Sequence, residues 1–351
     1  MTETRDRPFI LVAYPPVSAI VDTDDFARRF PEYDLAHTHY ELAHEVRSQR
    51  ALDPQGSLGG EPVLSAAQAA EFALAEILVT LDAPRDLRTH APLLRWVQAI
   101  GSGTDQFGVS RLGDGDITLT NAAGIAAAPI AEWVIGRIFA IYKLFDRHAE
   151  QQRRNVWEPA YGSLIAGKVV AVIGLGAIGQ EVAWRCSALG MIVLGVRRTP
   201  CAPGDEPRGV SEVHPTSALA SIIGRADIVV SAVPAGGDTD DLFDADIFAA
   251  MRPSSVFINV GRGNAVDEQA LQAALRSGHL RAAAIDVAKL EPLPPESPLW
   301  STPNLAISPH SSTSQDGYME RVWRRFLDNL EAYRAGRSLS NVVRPVPEEG
   351  A

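Results

Sequence analysis

Short apolar runs and longer stretches with apolar residues at helical spacing follow one another along this 351-residue chain. In the first third, apolar runs over 9–14, 76–81, 93–100 and 117–120 predict strands. An alanine-rich stretch over 65–75 predicts a helix. A polar segment over 45–62, rich in glycine and proline, is typical of a surface loop. This alternation predicts that the first part of the chain is a small α/β unit.

The pattern becomes helical from residue 129 to about residue 152. Apolar side chains recur there at helical spacing, at Trp133, Ile135, Ile138, Ile141, Tyr142 and Phe145. A helix of this length bridges domains, builds a dimer interface or packs as a plain core helix, and the pattern leaves these alternatives open.

A buried-strand run then ends in a glycine turn that opens a helix. Residues 169–173 read Val-Val-Ala-Val-Ile, and Gly174, Gly176 and Gly179 follow around Leu175, Ala177 and Ile178. In the dinucleotide fingerprint the first glycine makes the tight turn and the second lets the backbone approach a pyrophosphate. The third lets the helix pack close to the strand, and the positive end of that helix faces the phosphates. A helix over 180–189 and a strand over 191–196 complete the predicted unit, whose alternative is a strand–turn–helix that binds nothing.

Further apolar runs follow the fingerprint. Strands are predicted over 228–233, 256–260, 282–287 and 305–307, and helices over 245–251, 268–277 and 316–335. Several of these strands are apolar throughout, which is typical of a parallel sheet covered on both faces. The last helix is amphipathic, with Trp323, Phe326 and Leu330 on one face.

Composition changes the picture mainly by exclusion. The length suggests two domains, and 46% hydrophobic with 21% charged residues is ordinary for a soluble protein. The polar N-terminus lacks the apolar region of a signal peptide, no membrane span or metal site is predicted, and the two cysteines, Cys186 and Cys201, fit a reducing cytoplasm. A net charge of −11 argues against nucleic acid as a partner, so anionic ligands need local arginines.

Several motifs follow one another along the chain. Each is weak evidence alone, but their joint order and spacing are highly specific. The motifs are the glycine loop at 100–105, the segment from Asn121-Ala122-Ala123-Gly124 to Ala131-Glu132, Gly174 to Gly179, Asn259-Val260-Gly261-Arg262-Gly263, Asp286-Val287, Glu291-Pro292-Leu293-Pro294 and Ser308-Pro309-His310. On these residues the chain resembles the D-isomer-specific 2-hydroxyacid dehydrogenases, in particular the NADP-preferring branch similar to glyoxylate/hydroxypyruvate reductases. The resemblance covers nearly the whole chain and is weakest over 15–62.

The resemblance implies a catalytic role for Arg262, Glu291 and His310. Reduction of a 2-keto acid needs hydride delivery, a proton donor and cationic or hydrogen-bonding contacts for the oxygens. Imidazole titrates near neutrality, so His310 suits the donor, while Glu291 can fix its tautomer and favour its charged form. Arg262 offers a planar fork of donors for carboxylate and carbonyl oxygens. Taken singly, each has an ordinary alternative as a turn or loop residue. The formate dehydrogenase branch of the family has glutamine in place of this glutamate. By resemblance, Glu291 therefore points toward 2-hydroxyacid chemistry and away from formate.

The resemblance also assigns binding residues. Backbone N–H groups at Ser102 and Gly103 are expected to bind the substrate carboxylate, together with Arg262 and His310. Asp286 is expected to contact the nicotinamide carboxamide, its alternative being a strand-end or capping acid. The remaining expected cofactor contacts are Ala177, Ile178, Val233, Pro234, Thr239, Val260 and Gly261, besides the three fingerprint glycines.

The end of the second strand of the fingerprint unit indicates the choice of cofactor. NAD-binding relatives carry an acid there, whereas this chain has Arg197, Arg198 and Thr199. Two guanidinium groups and a hydroxyl can bind a 2′-phosphate that a carboxylate would repel. We therefore expect NADP(H) to be preferred, with NAD(H) possible; the alternative is that both arginines are solvated strand-end charges.

Together these inferences predict an α/β protein with a Rossmann-type, doubly wound parallel sheet. This cofactor domain, 124–309, is inserted into a smaller flavodoxin-like substrate domain formed by 1–123 and 310–351. The expected activity is hydride transfer between NADP(H) and a small 2-keto acid or D-2-hydroxy acid, mainly in the reductive direction. The resemblance implies a homodimer through the long helix. The alternative function is a dinucleotide-sensing, corepressor-like binding protein on the same fold.

Overall fold

The computed structural model describes residues 7–52, 62–104, 106–107, 117–199, 201–202, 204, 206–234 and 236–343. The chain forms two compact units, which we call the first unit (1–125 with 315–351) and the second unit (126–314). The predicted domain boundaries differ from these by two residues at the first crossing and five at the second. His310 lies in the second unit, where its backbone N–H donates to the Asp286 carbonyl at 2.8 Å.

Twelve strands and twelve α-helices are defined in the described residues. The strands are β1 Phe9–Val12, β2 Asp34–His37, β3 Ile77–Thr80, β4 Trp96–Ala99, β5 Thr118–Thr120, β6 Val169–Ile173, β7 Ile192–Val196, β8 Glu212–His214, β9 Ile228–Ser231, β10 Ser255–Asn259, β11 Leu280–Ile285 and β12 Leu305–Ile307. The helices are α1 Pro15–Ser18, α2 Thr23–Arg29, α3 His44–Leu52, α4 Ala66–Leu74, α5 Leu87–His90, α6 Ala127–Tyr142, α7 Phe145–Arg153, α8 Ala177–Ala188, α9 Leu219–Ile223, α10 Ala245–Ala250, α11 Glu268–Arg276 and α12 Tyr318–Arg334.

The first unit is built on a five-stranded parallel sheet in the order β2-β1-β3-β4-β5, which is the strand order of the flavodoxin-like fold that was predicted for it. Alternate residues of β1 enter different cores: Leu11 packs on one face of the sheet, and Ile10 and Val12 on the other. The predicted apolar face of α12 covers the second of these, where the Phe326 ring lies 5.3 Å from the Trp96 ring. The first unit therefore needs the C-terminal helix to complete its core.

The second unit is built on a seven-stranded parallel sheet in the order β12-β11-β10-β9-β6-β7-β8. Counted from β6, this is the Rossmann order 3-2-1-4-5-6 with one strand added, so the predicted fold class is confirmed. Apolar cores cover both faces, with Val170 and Val172 in one and Ala171 and Ile173 in the other. The strand order reverses between β6 and β9, and ligands of such sheets bind outside the carboxyl ends of the strands at this point.

Two sequence predictions were wrong in this architecture. The single helix expected over 129–152 is two helices, α6 and α7, because Leu144 adopts a left-handed φ of 60° that interrupts the helical hydrogen bonds. Part of the loop expected over 45–62 is helix α3, and the rest, 53–61, lies outside the described residues. Helix α3 is anchored by Arg47, which donates at 2.7–3.1 Å to the fully buried Asp82. The helix is held by this ion pair, which apolar spacing in the sequence does not indicate.

Candidate active site

The glycine turn after β6 has the geometry that the fingerprint requires. Gly174 has a φ of 95°, and a Cβ there would lie 2.6 Å from the Ala232 carbonyl oxygen. A Cβ on Gly179 would lie 1.9 Å from the Gly174 carbonyl oxygen, so only glycine allows α8 to pack this close to the strand. A Cβ on Gly176 would meet nothing within 4 Å. The turn is therefore crowded on the protein side and open on the outer side.

The open side of the turn is the N-terminus of α8. Gly176 is its N-cap residue, no side chain caps the helix, and Ala177 is exposed while Ile178 is half-buried. The first backbone N–H groups of a 12-residue helix therefore face the space beside Gly176. Uncapped amides with the positive helix end suit a pyrophosphate, so this turn fits a dinucleotide.

The residues expected to choose the cofactor follow β7. Arg197 is half-buried, with its backbone N–H on the His214 carbonyl at 3.0 Å, while Arg198 and Thr199 are exposed. Within the described part of the chain, neither guanidinium has an ion-pair partner. Two uncompensated positive charges thus lie at the carboxyl end of a strand adjacent to β6 in the sheet.

Arg262 lies in a tight turn after β10. The buried Asn259 side chain fixes this turn, because its Nδ2 donates to the Arg262 carbonyl at 3.0 Å and its Oδ1 accepts from the Gly261 N–H at 3.1 Å. The flanking glycines allow close packing: a Cβ on Gly261 would lie 2.5 Å from the Val233 carbonyl oxygen, and one on Gly263 would lie 2.0 Å from the Ala288 carbonyl oxygen. The turn that carries Arg262 is therefore wedged between the chain after β9 and the chain after β11.

Asp286, directly after β11, holds the loop that carries His310. Its carboxylate is 2% exposed and accepts from Ser308 Oγ at 2.5 Å, the Ser311 N–H at 2.9 Å, and both the N–H and the hydroxyl of Ser312. These contacts occupy both oxygens, so the structure assigns the carboxylate to the loop. Its expected contact with the nicotinamide carboxamide stays a prediction.

His310 and Glu291 form the central pair of the site. The His310 Nδ1 atom lies 2.7 Å from Glu291 Oε2, and Glu291 Oε1 accepts from the Ala288 N–H at 3.0 Å. His310 adopts a left-handed φ of 50°, a conformation that histidine tolerates better than most residues. About half of the imidazole, 48%, is exposed. The pair is thus held from one side and accessible from the other.

The hydrogen bond to Glu291 raises the pKa of His310 above its ordinary value. Burial opposes this effect, as does the positive charge of Arg262, while the negative charge of Asp286 adds to it. The imidazolium therefore persists to higher pH than a free histidine would allow. Since Nδ1 is bonded to Glu291, Nε2 is the nitrogen left to donate a proton outward.

The other expected cofactor residues lie along the same edge of the sheet. Val233 and Val260 are buried just after β9 and β10, and Pro234 is exposed. The Thr239 hydroxyl lies 2.9 Å from the Pro234 carbonyl oxygen and 2.7 Å from that of Gly236, so it closes its own turn.

The expected carboxylate-binding residues, Ser102 and Gly103, belong to the first unit and follow β4. Ser102 is exposed and Gly103 half-buried, and neither backbone N–H donates a hydrogen bond in the part of the chain that the structure describes. Asp105 of the same motif lies outside the described residues. Two open amides in a glycine turn are the arrangement that an anion needs.

No role was predicted from the sequence for three residues that build the site. Asn259 fixes the Arg262 turn, and Ser308 and Ser312 hold the Asp286 carboxylate. The available signal was the position of Asn259 at a strand end before Gly-Arg-Gly, and the run of serines on both sides of His310.

Comparisons with known proteins indicate the family of this chain. The family described as D-isomer specific 2-hydroxyacid dehydrogenase, NAD binding domain, matches residues 135–312. Glyoxylate/hydroxypyruvate reductase B of Pectobacterium atrosepticum is 30% identical over 74% of this chain and 82% of its own length. Among solved structures, a D-isomer specific 2-hydroxyacid dehydrogenase family protein from Aeromonas salmonicida is 29% identical, with a TM-score of 0.76 over 97% of this chain and 99% of its own. One from Xanthobacter autotrophicus, solved with NADPH and MES, is 26% identical, with a TM-score of 0.74 over 97% and 99%.

A Rossmann-type sheet that carries a glycine turn, an arginine turn and a histidine–glutamate pair at one edge defines a nicotinamide dinucleotide-dependent oxidoreductase. The family match over half of the chain narrows this class. The chain belongs to the D-isomer specific 2-hydroxyacid dehydrogenases. No helix in the described residues is long and apolar enough to cross a membrane.

Proposed function

We propose that this enzyme reduces small 2-keto acids to D-2-hydroxy acids with NADPH as the preferred cofactor. The observation that carries the proposal is the His310–Glu291 pair at 2.7 Å, whose hydrogen bond keeps the imidazole protonated toward higher pH. Reduction consumes a proton at the carbonyl oxygen, so a histidine with a raised pKa suits the reductive direction.

The chain's own residues supply everything except the hydride. NADPH supplies the hydride when it is bound at the glycine turn. His310 donates the Nε2 proton to the oxygen of the former carbonyl. Glu291 holds the Nδ1–H group of the ring and stabilises its charged form. Arg262 stabilises the negative charge that develops on this oxygen and binds the substrate carboxylate. We propose that the open N–H groups of Ser102 and Gly103, in the first unit, are carboxylate-binding groups.

Two observations support the preference for NADPH. Arg197 and Arg198 carry positive charges without ion-pair partners in the described residues, at the end of β7 where the 2′ substituent of the ribose is expected. The Xanthobacter autotrophicus relative was solved with NADPH. A 2′-phosphate would give both guanidinium groups a partner.

A panel assay tests the activity and the cofactor together. The purified protein is mixed with NADPH or NADH and with glyoxylate, hydroxypyruvate or larger 2-keto acids, and the nicotinamide absorbance is followed. We expect oxidation of NADPH with a higher kcat/KM than of NADH. No oxidation across the panel contradicts the enzyme proposal and leaves the corepressor-like alternative, which the catalytic names of the relatives do not favour.

Substitution of Arg197 by aspartate tests the phosphate contact. Each charge-assisted hydrogen bond contributes about 1.5–3 kcal/mol, so kcat/KM with NADPH should fall about 10- to 100-fold. The value with NADH should hold or rise, because the new carboxylate can accept from the ribose hydroxyls. Arg276→Asp makes the same charge change at an exposed position on α11 and should leave the preference unchanged. An unaltered preference in Arg197→Asp contradicts the proposed contact.

We also propose that the enzyme is a homodimer in the cytoplasm. The segment after α7 carries large apolar side chains that the second unit leaves in solvent, with Trp157 98%, Tyr161 88% and Leu164 70% exposed. Such a patch is typical of a protein interface. Both cysteines are free, as a reducing compartment requires. Sedimentation velocity should give twice the monomer mass, and Trp157→Glu should lower it; a wild-type monomer contradicts the dimer.

A further inference from the structure

We propose that Asn121, held by Asn341 of the C-terminal segment, is a positioning residue for the carboxylate-binding loop of Ser102 and Gly103. This inference rests on the proposed function of that loop. All of the contacts involved lie within the first unit.

The inference starts from the two peptide groups that carry the open amides. The Ser102 carbonyl accepts from Asn121 Nδ2 at 2.8 Å, and the Gly101 carbonyl accepts from the Ala122 N–H at 2.9 Å. In a planar trans peptide the C=O and the following N–H point in opposite directions. Bonding the Gly101 carbonyl therefore points the Ser102 N–H away from residues 121–122, and bonding the Ser102 carbonyl does the same for the Gly103 N–H. One short segment thus aims both donors at the same side.

Asn121 is in turn fixed on its own backbone. Its Oδ1 accepts from the Ala123 N–H at 3.1 Å, so its Nδ2 is oriented toward the loop. Its carbonyl accepts from Asn341 Nδ2 at 3.2 Å, and the same Nδ2 donates to the Ala123 carbonyl at 2.8 Å. Asn341 has a left-handed φ of 56°, which asparagine tolerates. Both side chains are bonded to backbone groups of the loop and of residues 121–123, so we expect both to act through the position of the loop.

The C-terminal segment, residues 340–343, is hydrogen-bonded to the sheet and to α12. The Val343 N–H donates to the Leu119 carbonyl at 2.8 Å, and the Asn121 N–H donates to the Asn341 carbonyl at 3.1 Å, so residues 341–343 pair antiparallel with the end of β5. The buried Asn329 of α12 accepts from the N–H and hydroxyl of Ser340 at 2.9 and 2.8 Å. The segment is therefore anchored from the sheet and from the helix.

A buried polar chain connects this anchor with β4. Asn329 Nδ2 lies 3.2 Å from Gln98 Oε1, and that oxygen also accepts from the Thr120 hydroxyl at 2.9 Å. Thr120 accepts from Trp96 Nε1 at 2.8 Å. Since Gln98, Thr120 and Trp96 are fully buried, each of these bonds is costly to break. The strand that leads into the loop and the segment that holds the loop thus share one network.

The closing experiment compares two variants with a matched control. Asn121→Ala removes the bond to the Ser102 carbonyl, and Asn341→Gly removes the side chain while keeping a residue that tolerates its φ. Asn304→Gly, another asparagine with a left-handed φ of 58°, lies before β12 in the second unit and serves as control. The readouts are KM and kcat for glyoxylate, the affinity of the NADPH complex for oxamate by calorimetry, and the Kd of NADPH.

Asn121→Ala should misplace the loop and cost about one of its N–H bonds to the carboxylate. We expect the KM and the oxamate Kd to rise by about 10- to 100-fold, the range for a hydrogen bond to a charged group. Asn341→Gly should raise both by a smaller factor, with kcat changed less than KM in each case and the Kd of NADPH within twofold of wild type. A merely structural role would lower stability without this split between KM and kcat. Wild-type KM and oxamate affinity in both variants overturn the inference alone. Absence of turnover in the wild-type enzyme overturns the proposed function, and the inference with it.

Discussion

Replacement of Asp286 by asparagine tests how the loop that carries His310 is held. The carboxylate is 2% exposed and accepts from Ser308, Ser311 and Ser312. Asparagine keeps the shape and one carbonyl oxygen, so the bonds to Oδ1 can persist. An NH₂ group in place of Oδ2, however, would face the Ser312 N–H, which lies 3.1 Å from that oxygen. The variant therefore brings one donor against another.

The expected cost follows from these contacts. Bonds to a charged acceptor contribute about 1.5–3 kcal/mol and neutral ones about 0.5–1.5 kcal/mol, so each retained bond weakens by about 1 kcal/mol. Three bonds to Oδ1 are retained, from Ser308, Ser311 and Ser312. With an unsatisfied donor added at about 1–3 kcal/mol, the free energy of unfolding of the second unit should fall by about 4–6 kcal/mol. Domains have about 5–15 kcal/mol of stability, so this loss is large enough to lower the urea midpoint clearly. A shift of His310 by about 1 Å costs about 100-fold in rate, so kcat should fall strongly.

Urea unfolding and steady-state kinetics measure the two effects. Asp244→Asn is the matched control, because Asp244 caps α10 by accepting from the Ile247 N–H at 2.9 Å and asparagine caps as well as aspartate. A wild-type urea midpoint and kcat in Asp286→Asn refute the holding role. An unchanged kcat with a weakened NADPH affinity indicates the cofactor contact that the family resemblance implies.

Two further predictions concern the catalytic pair and the glycine turn. Glu291→Gln replaces the carboxylate whose hydrogen bond and charge raise the pKa of His310, so the reductive kcat/KM should decline at lower pH than in wild type as pH rises; coincident pH profiles contradict this. Gly179→Ala places a Cβ 1.9 Å from the Gly174 carbonyl oxygen and should raise the Kd of NADPH about tenfold or more through a strained turn, whereas Gly136→Ala, with nothing within 4 Å of its Cβ, should not; equal Kd values in both variants speak against the fit.

The sequence predicted well the strands in which nearly every residue is buried. Strands β6, β9 and β10 read as apolar runs because both faces of the sheet are covered, and their ends were placed within two residues. Strand β8 was missed, since Glu-Val-His has no apolar run and lies half-buried at the edge of the sheet. Its Glu212 is bonded to Arg225 and His214, which lower the pKa of Glu212 to about 2. Charge pairing across the chain leaves no periodic signal.

The candidate site likewise contains residues that the sequence predicted and contacts that it did not. Arg262, Glu291 and His310 were predicted from the sequence because their motifs are local and chemically specific, and the structure brings them to the carboxyl edge of the second sheet. The contacts that hold them in place were not predicted. The bonds of Asn259 to its turn and of Asp286 to the serine loop depend on backbone geometry between strands, which a single sequence does not display.

The most direct test of the account is the oxidation of NADPH by wild type and by His310→Asn with hydroxypyruvate, together with the Kd of NADPH for both. We expect the wild-type enzyme to turn over and the variant to lose about 100-fold or more in kcat, the contribution of a general acid. The Kd of NADPH should stay within twofold, because the glycine turn and Arg197 are untouched. Retained turnover in the variant, or loss of NADPH binding in place of turnover, contradicts the assignment of His310 as the proton donor.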